Sequence, residues 1–161
     1  MSKKGIILLI IGLAGILFIL VDYSKQADVL LNKEQTTSQK VSSNPDVLAT
    51  KEVFEKSIQA SNEEDVESYI KLLIPKAREN TKKELTKFFK DYEVENELQS
   101  FEVLKHEGNH LLAKAVVQSV NLEKNQKKYK DNTSTLNVTF IKEENQWLIE
   151  LTTTIDTQFL K

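Results

Sequence analysis

Leu98–Val120 reads LQSFEVLKHEGNHLLAKAVVQSV, and within it the periodicity of the chain changes. Phe101-Glu102-Val103-Leu104-Lys105-His106 has strand composition, Glu107-Gly108-Asn109 reads as a turn, and His110–Val120 returns as a second strand-like run. A three-residue loop containing glycine between two such runs predicts a β-hairpin. Downstream, Leu122 to Asn132 is polar and reads as a long connection or extended tip. Leu136, Val138 and Phe140 then alternate with Asn137 and Thr139, the period-two pattern of a half-buried strand. Glu143-Glu144-Asn145 predicts a turn, after which Trp147, Ile149 and Leu151 alternate again towards Ile155.

Upstream of Leu98 the period is helical. Asn44-Pro45 is a cap followed by proline at the first helical position. Val47, Thr50/Lys51, Phe54 and Ile58 form one stripe behind it. Ser61-Asn62-Glu63-Glu64 resembles a capping box, Ser61 capping and Glu64 three residues on, with Val66, Tyr69, Ile70 and Leu73 as a second stripe. Pro75 limits that helix near Leu73-Ile74. Lys76 to Tyr92 predicts a third helix, burying Ala77, Thr81, Leu85 and Phe88/Phe89 and presenting Arg78, Lys82, Lys83, Lys87 and Lys90 on its other face. Helices first and strands after is an α+β order, not a βαβ alternation. The expected domain is three helices packed on a curved antiparallel sheet of about four strands, over residues 45–161.

Ahead of that domain lies Gly5–Val21, GIILLIIGLAGILFILV, without a polar side chain. Its length as a helix, about 25 Å, is slightly short of a hydrocarbon core of about 30 Å. Lys4 and Tyr23 extend it by snorkelling and interfacial anchoring, so 5–23 is the expected transmembrane anchor. A cleaved signal peptide fits the length but wants small residues one and three positions before the cut, and no good pair stands downstream of Ala14-Gly15. Lys3 and Lys4 in the stub 1–4 predict a cytoplasmic N-terminus, a single-pass span in the cell membrane and an extracytoplasmic domain. Residues 24–44 are polar and hydroxyl-rich apart from Val29-Leu30-Leu31, the composition of a flexible stalk.

Charge and composition exclude several functions. From Asp46 onward, 17 Lys and Arg stand against 21 Asp and Glu, which leaves no strongly basic surface for nucleic acid. The absence of cysteine excludes disulfides, thiolate catalysis and cysteine-ligated zinc.

The short helices followed by a meander, the run Asp65-Val66-Glu67-Ser68-Tyr69-Ile70, and a last strand entered through Asn145-Gln146-Trp147-Leu148-Ile149 resemble the nuclear transport factor 2-like superfamily. The likeness is to its small membrane-anchored bacterial members and covers Asp46–Lys161. It implies a cone-shaped α+β fold, a pocket between helices and sheet, and often a homodimer through the sheet. Isomerases, dehydratases, scaffolds and secretion-system domains share this fold, so function rests on the site.

Candidate chemistry is sparse. His106 and His110, the two histidines, are expected roughly opposite each other across the hairpin, with Glu107 as a third metal ligand; polar residues flanking a turn is the plainer reading. For acid/base work, Glu102 is expected to share a face with Leu104 and His106, and Glu150 to lie on the solvated face opposite Ile149 and Leu151. Asp65 and Tyr69 share a helical face, with Asp65 read as a first-turn acid. No isomerase constellation assembles. The basic helix face is expected to be a solvated surface before it is a site for anionic lipid or wall polymer. The Lys124–Lys130 run with Tyr129 reads as a solubilising loop. Asn132-Thr133-Ser134 and Asn137-Val138-Thr139 match the glycosylation pattern, which matters only in a eukaryotic secretory host.

The sequence therefore points to a membrane-anchored, extracytoplasmic, non-enzymatic binding or scaffold domain. It has no assigned catalytic, metal or cofactor residues, and its partners are the bilayer through 5–23 and a protein or small ligand. The alternatives are a pocket enzyme or small-ligand carrier, and a component of a secretion or conjugation apparatus or a toxin-immunity protein.

Overall fold

The computed structural model describes residues 44–123 and 129–161. The anchor 5–23 and the stalk, apart from Asn44, lie outside the described residues. Among those described, no helix is long and apolar enough to cross a membrane.

Three helices precede four strands: α1 (Pro45–Asn62), α2 (Val66–Lys71), α3 (Pro75–Asp91), β1 (Val94–Glu107), β2 (His110–Asn121), β3 (Asn132–Glu143) and β4 (Gln146–Phe159). The strands form one antiparallel sheet in the order β1-β2-β3-β4, and the helices pack on one of its faces.

Asn44 starts α1 as its sequence indicates, its Oδ1 accepting the Asp46 N–H at 2.9 Å with Pro45 at the first helical position. The helix buries Thr50, Phe54, Ser57 and Ile58. The capping box expected at Ser61 is not formed, because α1 runs on through Ser61 to Asn62. Asp65 caps α2 instead, accepting the Ser68 N–H at 3.0 Å. Tyr69 and Leu73 from the second stripe are buried, but α2 is only six residues long. Pro75 opens α3 rather than ending α2, and between them Leu73 makes an isolated parallel bridge to Ile149, which donates to the Leu72 carbonyl and accepts from the Ile74 N–H. α3 buries Ala77, Thr81, Leu85 and Phe88, as its stripe predicts.

The sheet begins at Val94, four residues before the change of period at Leu98. The inward positions there are Val94 and Asn96, and a polar inward residue erases the alternation that marks a strand. Extra residues bulge the edge strands at Gln99 and Leu104 in β1 and at Glu150 and Ile155 in β4. Bulges bend a strand and turn the following side chains to the other face. After Glu150 it is therefore Thr152, not Leu151, that is buried on the helix side. Leu111, Ala113, Ala115 and Val117 of β2 and Leu136, Val138 and Phe140 of β3 supply the centre of the core. The ring of Phe101 lies 5.9 Å from Phe54 and 6.1 Å from Phe140, joining α1 to the sheet.

Candidate functional site

At the entrance to the domain, three elements meet on one carboxylate. Asp46, in the first turn of α1, faces the β3–β4 hairpin and the end of β1. Its Oδ1 accepts from Lys142 Nζ at 2.8 Å and from Trp147 Nε1 at 2.9 Å, and its Oδ2 lies 3.8 Å from His106 Nε2. The His106 ring sits edge-on 5.9 Å from Trp147, and the Lys142 ammonium is 5.7 Å from the same ring. Lys142 and Trp147 are cross-strand partners, so the hairpin presents ammonium and indole N–H side by side. The Lys142 hydrogen bond first, then that of Trp147, holds the Asp46 carboxyl below its ordinary value of 3.8. A carboxylate held this acidic is a poor proton acceptor near neutrality. What the arrangement does is fasten the helix where the chain enters the domain to the sheet.

The opposite end of the domain carries uncharged polar groups. Asn96 and Asn62 exchange side-chain and backbone hydrogen bonds at 2.8–3.0 Å, and Asn96 Oδ1 accepts from Ser119 Oγ at 2.7 Å. Beside them Asn132 donates to the Tyr129 hydroxyl at 3.3 Å and to the Lys130 carbonyl at 3.0 Å, and accepts from Ser134 Oγ at 2.9 Å. Phe88 and Tyr92 stack against Tyr129 at 6.2 and 5.8 Å. Burial pushes the Tyr129 and Tyr69 phenols up, so both stay neutral. The other buried polar side chains of the described residues are hydroxyls and amides, from Thr50 to Thr152. Such groups hold a structure or a ligand; they do not shuttle protons at pH 7.

The residues singled out in the sequence are dispersed. His106 pairs with buried Leu111 and faces the helices, whereas His110 pairs with Glu107 and is exposed on the other face. The turn has two residues, Gly108-Asn109, and not the three expected, because Glu107 is still in β1; Glu107 rather than His106 therefore opposes His110, and the histidines do not share a metal position. Among the described residues no group of three or more His, Asp or Glu is placed to hold a metal ion. The Leu104 bulge puts Glu102 and His106 on opposite faces, where strict alternation keeps them on one. Glu102 pairs with Lys114 on the outer face, its carboxylate 2.8 Å from the ammonium. Glu150 is the half-buried extra residue of its bulge. Asp65 is a cap, and Tyr69 is buried. On α3, Lys82 pairs with Glu67, Lys83 with Glu79 at 3.1 Å, and Arg78 Nε donates to the Leu73 carbonyl at 3.0 Å, so three of the five basic side chains on this face are engaged within the domain. Residues 124–128 of the lysine run lie outside the described residues; Tyr129 belongs to the core and Lys130 lies 5.6 Å from the Phe159 ring centroid. Asn132 is a buried network member, not a surface acceptor. Asp46 and Lys142 were the residues without a sequence signal of function. A first-turn acid is ordinary, and the pair stands 96 positions apart.

The family described as "Anti-sigma-I factor RsgI9, C-terminal domain" matches residues 52–160. No curated protein matches the chain. Solved structures do. A protein of unknown function with a cystatin-like fold from Nostoc punctiforme aligns with TM-score 0.58 at 12% identity, covering 66% of this chain and 87% of its own. A scytalone dehydratase-like protein from Novosphingobium aromaticivorans aligns with TM-score 0.58 at 13% identity, over 72% and 88%. A nuclear transport factor 2-like protein of unknown function from Pseudomonas putida gives TM-score 0.55 at 12% identity, over 65% and 82%. At these identities the likeness establishes the fold, three helices packed on a four-stranded antiparallel sheet, as expected.

Proposed function

The chain belongs to the family of the anti-sigma-I factor RsgI9 C-terminal domain. On that premise we propose that residues 45–161 form a non-catalytic regulatory binding module, held at the outer face of a cell membrane and engaging a protein partner there. The family match over 52–160 carries this reading, since the family takes its name from a regulatory protein whose partner is a protein. The chemistry of the interior supports it: the buried polar groups are neutral hydroxyls, amides and phenols, and the carboxylate of the entrance cluster is committed to Lys142 and Trp147. Location is supported by the sequence, by the apolar run Gly5–Val21 behind Lys3 and Lys4.

The test is co-purification of the full chain from detergent-solubilised membranes after cross-linking in intact cells. A protein recovered in fixed ratio to the chain is the expected result. Recovery of the chain only as a free monomer, under several detergents and growth conditions, overturns the binding reading. Turnover by the purified chain of any substrate, abolished by a substitution inside the domain, overturns the non-catalytic one.

A further inference from the structure

α3 does not carry its positive charge evenly. At about 3.6 residues per turn, Lys76, Lys83, Lys87 and Lys90 fall within about 60° of arc, opposite the buried Ala77, Thr81, Leu85 and Phe88. All four are exposed, and they span about 21 Å of helix, from its first turn to its last. The acid within that arc is Glu79, in an ion pair with Lys83 whose side chains are 71% and 75% exposed. So exposed a pair holds its ammonium weakly. Arg78 and Lys82 belong to a different flank, engaged with the Leu73 carbonyl and with Glu67 of α2. The outer surface of α3 is therefore a lysine stripe, four ammonium groups against one carboxylate.

The far side of the molecule has the other sign. On the outer face of the sheet, β1 displays Glu95, Glu97, Glu102 and Glu107 against its one lysine, Lys105. A charged surface turns a molecule polarised in this way: an anionic one draws the helix side and repels β1.

The place where the chain enters fits that orientation. Leu73, just ahead of α3, bridges Ile149, two residues along β4 from the Trp147 that Asp46 holds. Lys76 therefore sits at the entry end of the domain, and the stripe runs from there towards Tyr92, which packs on Tyr129 at the other end. Residues 22–43 separate the apolar run Gly5–Val21 from Asn44, and a polar coil of that length reaches about 25 Å. A domain tethered so closely meets the bilayer at an effective concentration of about millimolar, where weak attraction is enough to hold it. Each lysine beside an anionic leaflet favours contact about fivefold, so a net charge of about three favours it about a hundredfold.

We propose that the outer surface of α3 is a docking face for the anionic phosphate headgroups of the membrane that carries the chain. The domain then lies with its helices on the bilayer and the outer face of its sheet turned away, open to a protein.

Docking rests on the membrane location proposed above, and the two fail separately. The full chain is reconstituted into nanodiscs of phosphatidylcholine alone, and into discs of two parts phosphatidylcholine to one of phosphatidylglycerol. Acylation of each lysine by a neutral reagent, acetic anhydride, is followed by mass spectrometry, with Lys105 and Lys114 on the outer face of the sheet as internal references. The expected result is about threefold slower acylation of Lys76, Lys83, Lys87 and Lys90 in the anionic discs than in the neutral ones. Salt at about 0.5 M, which shortens the Debye length to about 4 Å, is expected to abolish the difference. Lys83→Gln combined with Lys87→Gln and Lys90→Gln, with circular dichroism unchanged, is expected to remove the slowing at Lys76. Equal acylation in the two discs, or slowing shared by Lys105 and Lys114, overturns the docking face and leaves the protein-binding reading standing. Slowing that is absent with anionic discs and appears only with soluble poly(glycerol phosphate) assigns the stripe to a wall-type polyanion and likewise overturns it. A chain that co-elutes with neither disc overturns the location and the docking face together. If the triple variant does not fold, the two discs and the salt dependence still decide.

Discussion

Asp46 binds helix, hairpin and first strand through one side chain, and its protonation follows from its partners. Lys142 and Trp147 hold the folded carboxyl below 3.8, and the unfolded chain returns it to that value. A group whose folded pKa is lowered contributes stability that is complete above the unfolded value and is lost as pH falls through the folded one. Trp147 is the single tryptophan, so its emission reports the contact. The expected result is constant emission down to about pH 4 and a change below it, the range set by an ordinary aspartate. Asp46→Ala is expected to show a shifted emission already at neutral pH. A wild-type spectrum flat through the acid range, or an unaltered Asp46→Ala spectrum, would refute the clamp. Asn96 makes a second residue-scale case. It is buried and serves Asn62 and Ser119 at once. Asn96→Ala leaves those partners unsatisfied, and a loss of about 2 kcal/mol is expected in urea denaturation. Neither role was legible in the sequence. An acid at the start of a helix and an asparagine near the start of a strand are both ordinary, and their partners are remote in the chain.

The elements were more legible than their joints. α1 and α3 carry caps or prolines at their starts and an apolar stripe of helical period, so local chemistry and burial agree. β3 is equally plain, because its inward Leu136, Val138 and Phe140 alternate without interruption. What was not legible is where tertiary partners override local pattern. The Asn62 side chain is engaged with Asn96, α1 continues past Ser61, and four bulges turn faces that a strict alternation keeps fixed. The β3–β4 turn retains a cost that can be measured. Glu144 and Asn145 both sit at positive φ, 48° and 65°, the pattern of a type I′ turn, which favours Asn-Gly. Glu144→Asn with Asn145→Gly is expected to raise stability by about 0.5–1 kcal/mol. Gly108 at φ +57° opens the β1–β2 turn, and Gly108→Ala is expected to cost about 1 kcal/mol by the same logic. Urea midpoints moving the other way in either hairpin would refute these turn assignments.

At the scale of the whole molecule, the clamp gives the proposed tether a mechanical partner. If Gly5–Val21 spans the membrane, force or displacement along the stalk arrives at Asn44 and passes directly into α1. There Asp46 ties the helix to β3 and β4 before any core residue is reached. That arrangement depends on the anchor, and the anchor can be removed without touching the domain. A charged residue at the centre of a membrane helix costs about 2.5–3.5 kcal/mol on insertion. Leu13→Lys combined with Ile16→Lys therefore takes away most of the apolar drive while leaving 45–161 intact. The wild-type chain is expected in the carbonate-washed membrane pellet, with its domain digested by protease added to protoplasts. The double variant is expected in the supernatant with unchanged circular dichroism from the domain. A wild-type chain extracted by carbonate would remove the anchor. A domain that stays protected until the protoplasts are lysed would reverse its side, and with it the setting in which the domain meets its partner.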